Sequence, residues 1–260
     1  MHLRPGIGLV VFCANLLWSS YIASGQENQL SAGSFSQIRA VNESLYTDLQ
    51  NFVCRETVER FKGPLGAVTG QQIDTITAKV SFENGVEHYE QIRQDNRARS
   101  RMSSIEGAWS EGEYGTLLRQ TQALLGTQTL RFEAASEFEG VPAAIYRFDV
   151  SEQDSPWDLE VDAQHYRVPF RTDVWVSKSL AQILKIERTS TAIPFDTQIS
   201  EIRWSVTLEP VELNGKRWLL PNTGDYSVSY EALNRREWNR MSFSDYHRYG
   251  SEVALTFDIK

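Results

Sequence analysis

The sequence predicts a mainly β (α+β) protein: a curved antiparallel meander or incomplete β-barrel of about ten to twelve strands, with an N-terminal amphipathic helix and a second short helix. Three observations carry that prediction. Apolar and polar residues alternate through most of the chain beyond residue 70, the pattern of strands with one buried and one wet face. Turn-forming pairs, Asn84-Gly85, Glu139-Gly140 and Asn214-Gly215, fall between the alternating stretches. Helical spacing is confined to two segments near the N-terminal half.

The first helical segment places Phe35, Ile38, Val41, Leu45, Leu49 and Phe52 three or four positions apart, one apolar face of a helix with Ser34 as its N-cap. Val53 to Phe61 follows as a strand, and Lys62-Gly63-Pro64-Leu65-Gly66 breaks it. Ile76, Ala78, Val80 and Phe82 then alternate with Thr75, Thr77, Lys79 and Ser81. A two-residue Asn84-Gly85 turn would set Phe82 opposite Glu87, Val80 opposite Tyr89 and Ala78 opposite Gln91. Between Glu111 and Leu125 the alternation lapses, and Tyr114, Leu117, Leu118, Thr121, Leu124 and Leu125 predict the second helix.

Strands resume at Leu130-Phe132-Ala134 and Tyr146-Phe148-Val150, whose phases agree across Glu139-Gly140 only with a bulge near Ala134-Ala135. Leu159, Val161 and Ala163 predict a further strand, and Val174-Val176 and Leu184-Ile186 frame a turn at 177–181. Ile202, Trp204, Val206 and Leu208 give the clearest alternation, and Asn214-Gly215 reverses the chain before Trp218-Leu219-Leu220-Pro221. Tyr226-Val228-Tyr230, Met241-Phe243 and Val253-Leu255-Phe257-Ile259 complete the series. No Pro/Ser-rich linker divides the strands, so residues 35–260 read as a single β-rich domain.

The N-terminus carries an address. Arg4 precedes an apolar run with Leu9-Val10-Val11-Phe12 and Leu16-Leu17-Trp18 at its centre, and Ala23 and Gly25 fit the small-residue positions before a cut at Gln26. Asn15, Ser19 and Ser20 interrupt the run, so residues 1–25 read as a cleavable signal peptide rather than a membrane anchor, and 26–34 as a polar leader. The expected location is periplasmic or secreted, with no stable membrane span after cleavage. Phe12 before Cys13 does not suit a lipidation site.

With 34 acidic against 26 basic residues the net charge is −8, which repels phosphate backbones; nucleic acid is not an expected partner. The basic runs Arg93-Arg97-Arg99-Arg101 and Arg235-Arg236-Arg240 are read as solvated strand or turn positions. Cys54 alone remains beyond the signal, so no internal disulfide forms, and a free cysteine of this kind is most often buried and inert. No zinc-ligand spacing, phosphate-cradling glycine loop or nucleophile elbow is present, and no metal or cofactor is called for. Asp158-x-Glu160-x-Asp162 lacks the glycine and distal glutamate of a calcium loop; these acids read as the wet face of a strand. His165 shares phase with Leu159, Val161 and Ala163 and is expected to point inward. Asn42-Glu43-Ser44 fits a glycosylation sequon inside a helix.

Two short motifs bear a resemblance. Val174-Trp175-Val176-Ser177 with Ile183-Leu184-Lys185-Ile186-Glu187, and Asn214-Gly215-Lys216-Arg217-Trp218-Leu219-Leu220-Pro221, resemble paired strands of the periplasmic lipoprotein-sorting proteins LolA and LolB and the related sensor domain of RseB. The tract Asn51-Phe52-Val53-Cys54-Arg55-Glu56-Thr57 is closer to uncharacterised secreted proteins of soil bacteria. The resemblance spans most of residues 35–260. It implies an incomplete barrel whose concave face is covered by helices and, in the sorting proteins, accepts acyl chains; it supplies no catalytic residues.

The expected function is therefore an exported, non-enzymatic binding protein of the cell envelope, with a lipid, lipoprotein or other envelope protein as partner. The expected ligand face is Val80, Phe82, Phe148, Val161, His165, Ile202, Trp204 and Val206. Two alternatives stand beside it: an envelope hydrolase using carboxylates such as Glu111, Glu113 or Asp158, and a purely structural or partner-binding protein. An apolar cavity favours the first reading, a polar cleft with paired acids the second, and a filled core the third.

Overall fold

Alternation of apolar and polar side chains runs through most of the chain from Phe52 to Arg248, lapsing at the helical stretch of residues 115–127, and the backbone follows it strand by strand. The computed structural model describes residues 32–47, 52–83, 86–108, 112 and 115–248. The predicted signal, the Asn84-Gly85 pair, Glu111, Glu113 and the Val253–Ile259 strand lie outside the described residues.

In chain order the elements are α1 (Ala32–Thr47), β1 (Phe52–Pro64), β2 (Gln71–Glu83), β3 (Val86–Gln94), β4 (Arg97–Ala98), α2 (Gly115–Thr127), β5 (Arg131–Phe138), β6 (Val141–Val150), β7 (Asp158–Val161), β8 (Gln164–Arg167), β9 (Phe170–Ser177), β10 (Ile183–Ser190), β11 (Glu201–Leu213), β12 (Lys216–Tyr230) and β13 (Arg235–Arg248). Among the described residues, eleven strands form one curved antiparallel sheet that does not close, ordered β4-β3-β2-β1-β13-β12-β11-β10-β9-β6-β5, while β7 and β8 form a separate hairpin. The mainly β incomplete barrel with two helices is the fold the alternation predicts.

Tight turns set the register where the sequence supplies residues that accept positive φ. Asn214 and Gly215, at φ 51° and 74°, join β11 to β12 with Leu213 paired to Lys216. Glu139 and Gly140, at 49° and 80°, join β5 to β6, and the register slips between Phe132 and Ala134, a bulge close to the one that the conflicting phases require. Glu83 pairs with Val86, Phe82 with Glu87 and Val80 with Tyr89, as expected for the first hairpin. The expected Ala78–Gln91 pair does not form, because a bulge intervenes and Gln91 takes φ 53°.

Four boundaries differ from the sequence reading. Helix α1 starts before Ser34, which is therefore inside the helix and not its cap. It ends at Thr47, so Phe52 belongs to β1, where its ring packs 5.7 Å from Phe82. Trp218 and Tyr226 share one long strand, β12, instead of two. The chain also reverses at Asp162-Ala163, both at positive φ, so Ala163 sits in a turn and not in the strand of Leu159 and Val161.

Register places one continuous row of side chains across the sheet's inner face. Neighbour by neighbour it runs Asp74, Arg60, Asn239, Tyr226, Trp204, Arg188, Thr172 and Phe148. Both helices pack on this face. Phe35 of α1 meets Tyr146 of β6 edge-on at 5.6 Å. Asn42 donates to the Ala181 carbonyl and accepts from the Ile183 N–H, which pins α1 to the β9–β10 connection. That bonding leaves Asn42 buried, so the sequon is a packing position. Gly115 opens α2 directly over Phe82, where a Cβ would lie 2.3 Å from the ring. Leu117, Leu118, Leu124 and Leu125 of α2 are buried, and truncating one to Ala would cost about 2–5 kcal/mol. Cys54 is buried in the same core.

Candidate functional site

Among the described residues, the two helices do not cover the whole inner face. A cavity of about 690 Å³ remains between the β10–β12 part of the sheet, the β7–β8 hairpin, α2 and the segment around Gly107. Arg188, Ile202, Trp204, Tyr226, Val228 and Tyr230 form its floor. Leu117 and Gln120 of α2 form one wall; Trp157, Leu159, Val161 and Val168 form the opposite one. Its size lies in the range of pockets that hold small organic ligands, about 300–1,000 Å³.

The hairpin wall is anchored at its base by a short polar knot. Ser155 Oγ donates to the Val168 carbonyl at 2.6 Å and accepts from the Trp157 N–H at 3.0 Å, while the Val168 N–H donates to the Trp157 carbonyl. Trp157 in turn stands edge-on to Phe170 at 5.2 Å. Acidic side chains line the outer part of the cavity: Asp158, Glu160 and Asp162 from the hairpin, all exposed, and Glu237 from β13. Glu237 lies 3.5 Å from Arg235 and accepts the Ala108 N–H.

Arg188 is the most unusual residue of the floor. It is 3% exposed, and its guanidinium lies over the rings of Phe170 at 4.8 Å and Trp204 at 6.0 Å. Its Nη1 donates to Gln120 Oε1 at 3.1 Å and its Nη2 to Thr121 Oγ1 at 3.2 Å, both neutral acceptors on α2. Its Nε has no hydrogen-bond partner, and among the described residues no carboxylate forms an ion pair with it. Burial brings its pKa down to about 9, which leaves it charged at neutral pH.

The expected ligand face divides on inspection. Val80, Phe82, Phe148, Ile202, Trp204 and Val206 all occupy the inner face of the sheet and are buried. Of these, Ile202 and Trp204 line the cavity, joined there by Val161 from the hairpin. Val80, Phe82, Phe148 and Val206 are core positions outside it. His165 does not point inward. The Asp162-Ala163 reversal carries it onto the exposed return strand, where Nδ1 sits 2.8 Å from Asp158 Oδ2 and that hydrogen bond raises its pKa.

Arg188, Tyr226, Val228, Tyr230 and Trp157 are cavity residues that the sequence reading did not select. Arg188 did carry a signal: it follows Ile186 at the strand period, an arginine on a buried phase. The basic run Arg235-Arg236-Arg240 is absorbed by aromatic faces, with the three guanidinium groups over Tyr230, Trp238 and Phe61 at 4.2, 5.5 and 5.2 Å.

No protein-family model matches the chain, and no curated protein matches it. Among solved structures, the chain is similar to a domain from Vibrio parahaemolyticus described as an outer membrane lipoprotein-sorting protein, at 10% identity over 85% of this chain and 93% of that one, with a TM-score of 0.42. It is similar to a LolA superfamily protein from Nitrosomonas europaea, at 9% identity over 82% and 92% of the two chains, TM-score 0.42. It is also similar to a DUF1329 family protein from Desulfovibrio piger, at 10% identity over 85% and 94%, TM-score 0.41. Lipoprotein-sorting and LolA-like proteins are the group that the strand motifs resemble.

Proposed function

We propose that this is an exported binding protein of the bacterial cell envelope that holds a largely apolar ligand, an acyl chain above all, in the cavity of the inner sheet face. The observation that carries this reading is the cavity itself. It lies beside a filled core, with Leu117, Trp157, Val161, Ile202, Trp204 and Val228 as an apolar band between Arg188 and Gln120 at its floor and wall and the acids Asp158, Glu160, Asp162 and Glu237. A sheet face built only for structure would be covered there as it is under α2. Each buried CH₂ of a ligand contributes about 0.8 kcal/mol, so a chain of moderate length offsets the cost of association and leaves micromolar affinity. The signal-like N-terminus supports the exported location.

The hydrolase alternative receives less support. Of the carboxylates that reading named, Glu111 and Glu113 lie outside the described residues, and Asp158 is exposed on the hairpin and engaged by His165. Titration of the purified protein with fatty-acyl probes, read by calorimetry and native mass spectrometry, tests the binding reading. Val161→Gln is the informative variant, because Val161 is half-buried at the cavity wall and tolerates a polar group without unfolding the sheet. Micromolar binding that weakens in this variant is expected. A folded protein that takes up no acyl probe would reject the carrier role in favour of a structural one.

A further inference from the structure

A buried cation is ordinarily matched by a carboxylate, because removing an unpaired charge from water costs several kcal/mol. Arg188 breaks that rule at the floor of the cavity. Among the described residues its two terminal nitrogens meet only neutral oxygens, its Nε has no hydrogen-bond partner, and aromatic rings flank it. The four carboxylates that line the same cavity among the described residues do not supply the missing charge. Asp158 is bound to His165, Glu237 to Arg235 and the Ala108 N–H, and Glu160 and Asp162 are exposed on the hairpin.

From this arrangement we infer that Arg188 is the receptor for the anionic head of an amphiphilic ligand, a carboxylate at the end of an acyl chain. This rests on the proposed apolar-ligand cavity and adds the polar end to it. The head enters first and meets the in-plane N–H groups of the two terminal nitrogens that Gln120 and Thr121 leave unused, in charge-assisted hydrogen bonds. The tail then lies against Ile202, Val228, Trp157 and Val161 toward the hairpin. A single negative charge fits better than a double one. One arginine neutralises a carboxylate, whereas a phosphate monoester would keep a surplus charge facing the acids of the outer cavity in a protein of net charge −8.

The test is a matched set of probes titrated by calorimetry into the full exported chain: laurate, 1-dodecanol with the same chain and a neutral head, and dodecyl phosphate. Laurate should bind at least about tenfold more tightly than dodecanol, the size of a hydrogen-bonded charge contact, and more tightly than dodecyl phosphate. Arg188→Met keeps the length and apolar stem of the side chain while removing its charge, and should abolish the preference for laurate over dodecanol. Arg188→Lys keeps a charge without the planar fork and should retain a reduced preference. Equal binding of laurate and dodecanol by the wild type, or a preference that survives in Arg188→Met, would overturn the role of Arg188 while leaving the apolar cavity standing. Tighter binding of dodecyl phosphate would also overturn the carboxylate assignment. Failure of all three probes to bind overturns the cavity reading and this inference with it.

Discussion

Arg60 and Arg188 lie in the same row of side chains on the same sheet face, are buried to the same degree, and are treated in opposite ways. Arg60, on β1, grips Asp74 with two parallel hydrogen bonds of 2.7 and 2.6 Å and gives a third to the Glu106 carbonyl at 2.7 Å. Gln94 donates to the same carboxylate. Arg188, on β10, has neutral partners and an unbonded Nε. The β1–β2 end of the sheet therefore uses its buried charge as a closed structural clamp, and the β10 end, among the described residues, leaves its charge without a counter-charge beside a cavity. Charge burial alone does not distinguish a site from a core; the state of the counter-charge does.

Breaking the clamp should have the largest effect. Asp74→Asn removes the partner of a buried cation and should cost about 3–5 kcal/mol, read by chemical denaturation. The same pair carries a pH dependence. Burial alone would raise the Asp74 carboxyl, but hydrogen bonds from Arg60 and Gln94 and the charges of Arg60 and Arg99 outweigh it and hold the group below its usual range. A carboxyl lowered by folding stabilises the native state above its unfolded pKa of about 3.9, and that contribution is lost as pH falls further. Wild-type stability should thus drop below about pH 4 with a component missing from Asp74→Asn. Equal pH profiles for the two proteins would show that the clamp does not hold the β1–β2 end.

A second change tests the filled half of the face. Gly115 is where α2 settles on the sheet, and a methyl there would sit 2.3 Å from the Phe82 ring, itself packed against Phe52. Gly115→Ala should destabilise by about 1–3 kcal/mol despite the better helix propensity of alanine. A neutral or stabilising result in thermal unfolding would mean that α2 can slide, and that the cavity beside it is not of fixed size.

The sequence showed the clamp and the cavity unequally. Alternation located most of the strands and put Val80, Phe82, Phe148, Ile202, Trp204 and Val206 on one face, because period 2 depends only on local residue order. Asn214-Gly215 fixed a register for the same local reason. Closure of the hollow depends on what packs above the face, which alternation does not encode, so the split between core and cavity residues was not legible. Asp162-Ala163 turns the chain without a glycine, and the missed reversal sent His165 to the wrong side. Arg60 and Arg188 both stand on buried phases, yet their difference rests on Asp74, fourteen residues from the first, and on the lack of an equivalent for the second.

The smallest expected effect is the one that completes the comparison. Arg188→Met exchanges an uncompensated buried cation for an apolar side chain of similar length between Phe170 and Trp204. Removing such a charge eliminates its desolvation cost, and buried ionic groups replaced by apolar ones of similar volume are often neutral or stabilising. The loss side is modest: two hydrogen bonds to Gln120 and Thr121, the second of which can turn its hydroxyl to a carbonyl of its own helix. The unliganded variant should unfold within about 1 kcal/mol of the wild type, or slightly above it. Laurate should raise the wild-type Tm, since a ligand bound only by the native state stabilises it by mass action, and should raise that of the variant less. A loss near that of Asp74→Asn would show that Arg188 is a strut between β10 and α2, and the two ends of the row would then be alike.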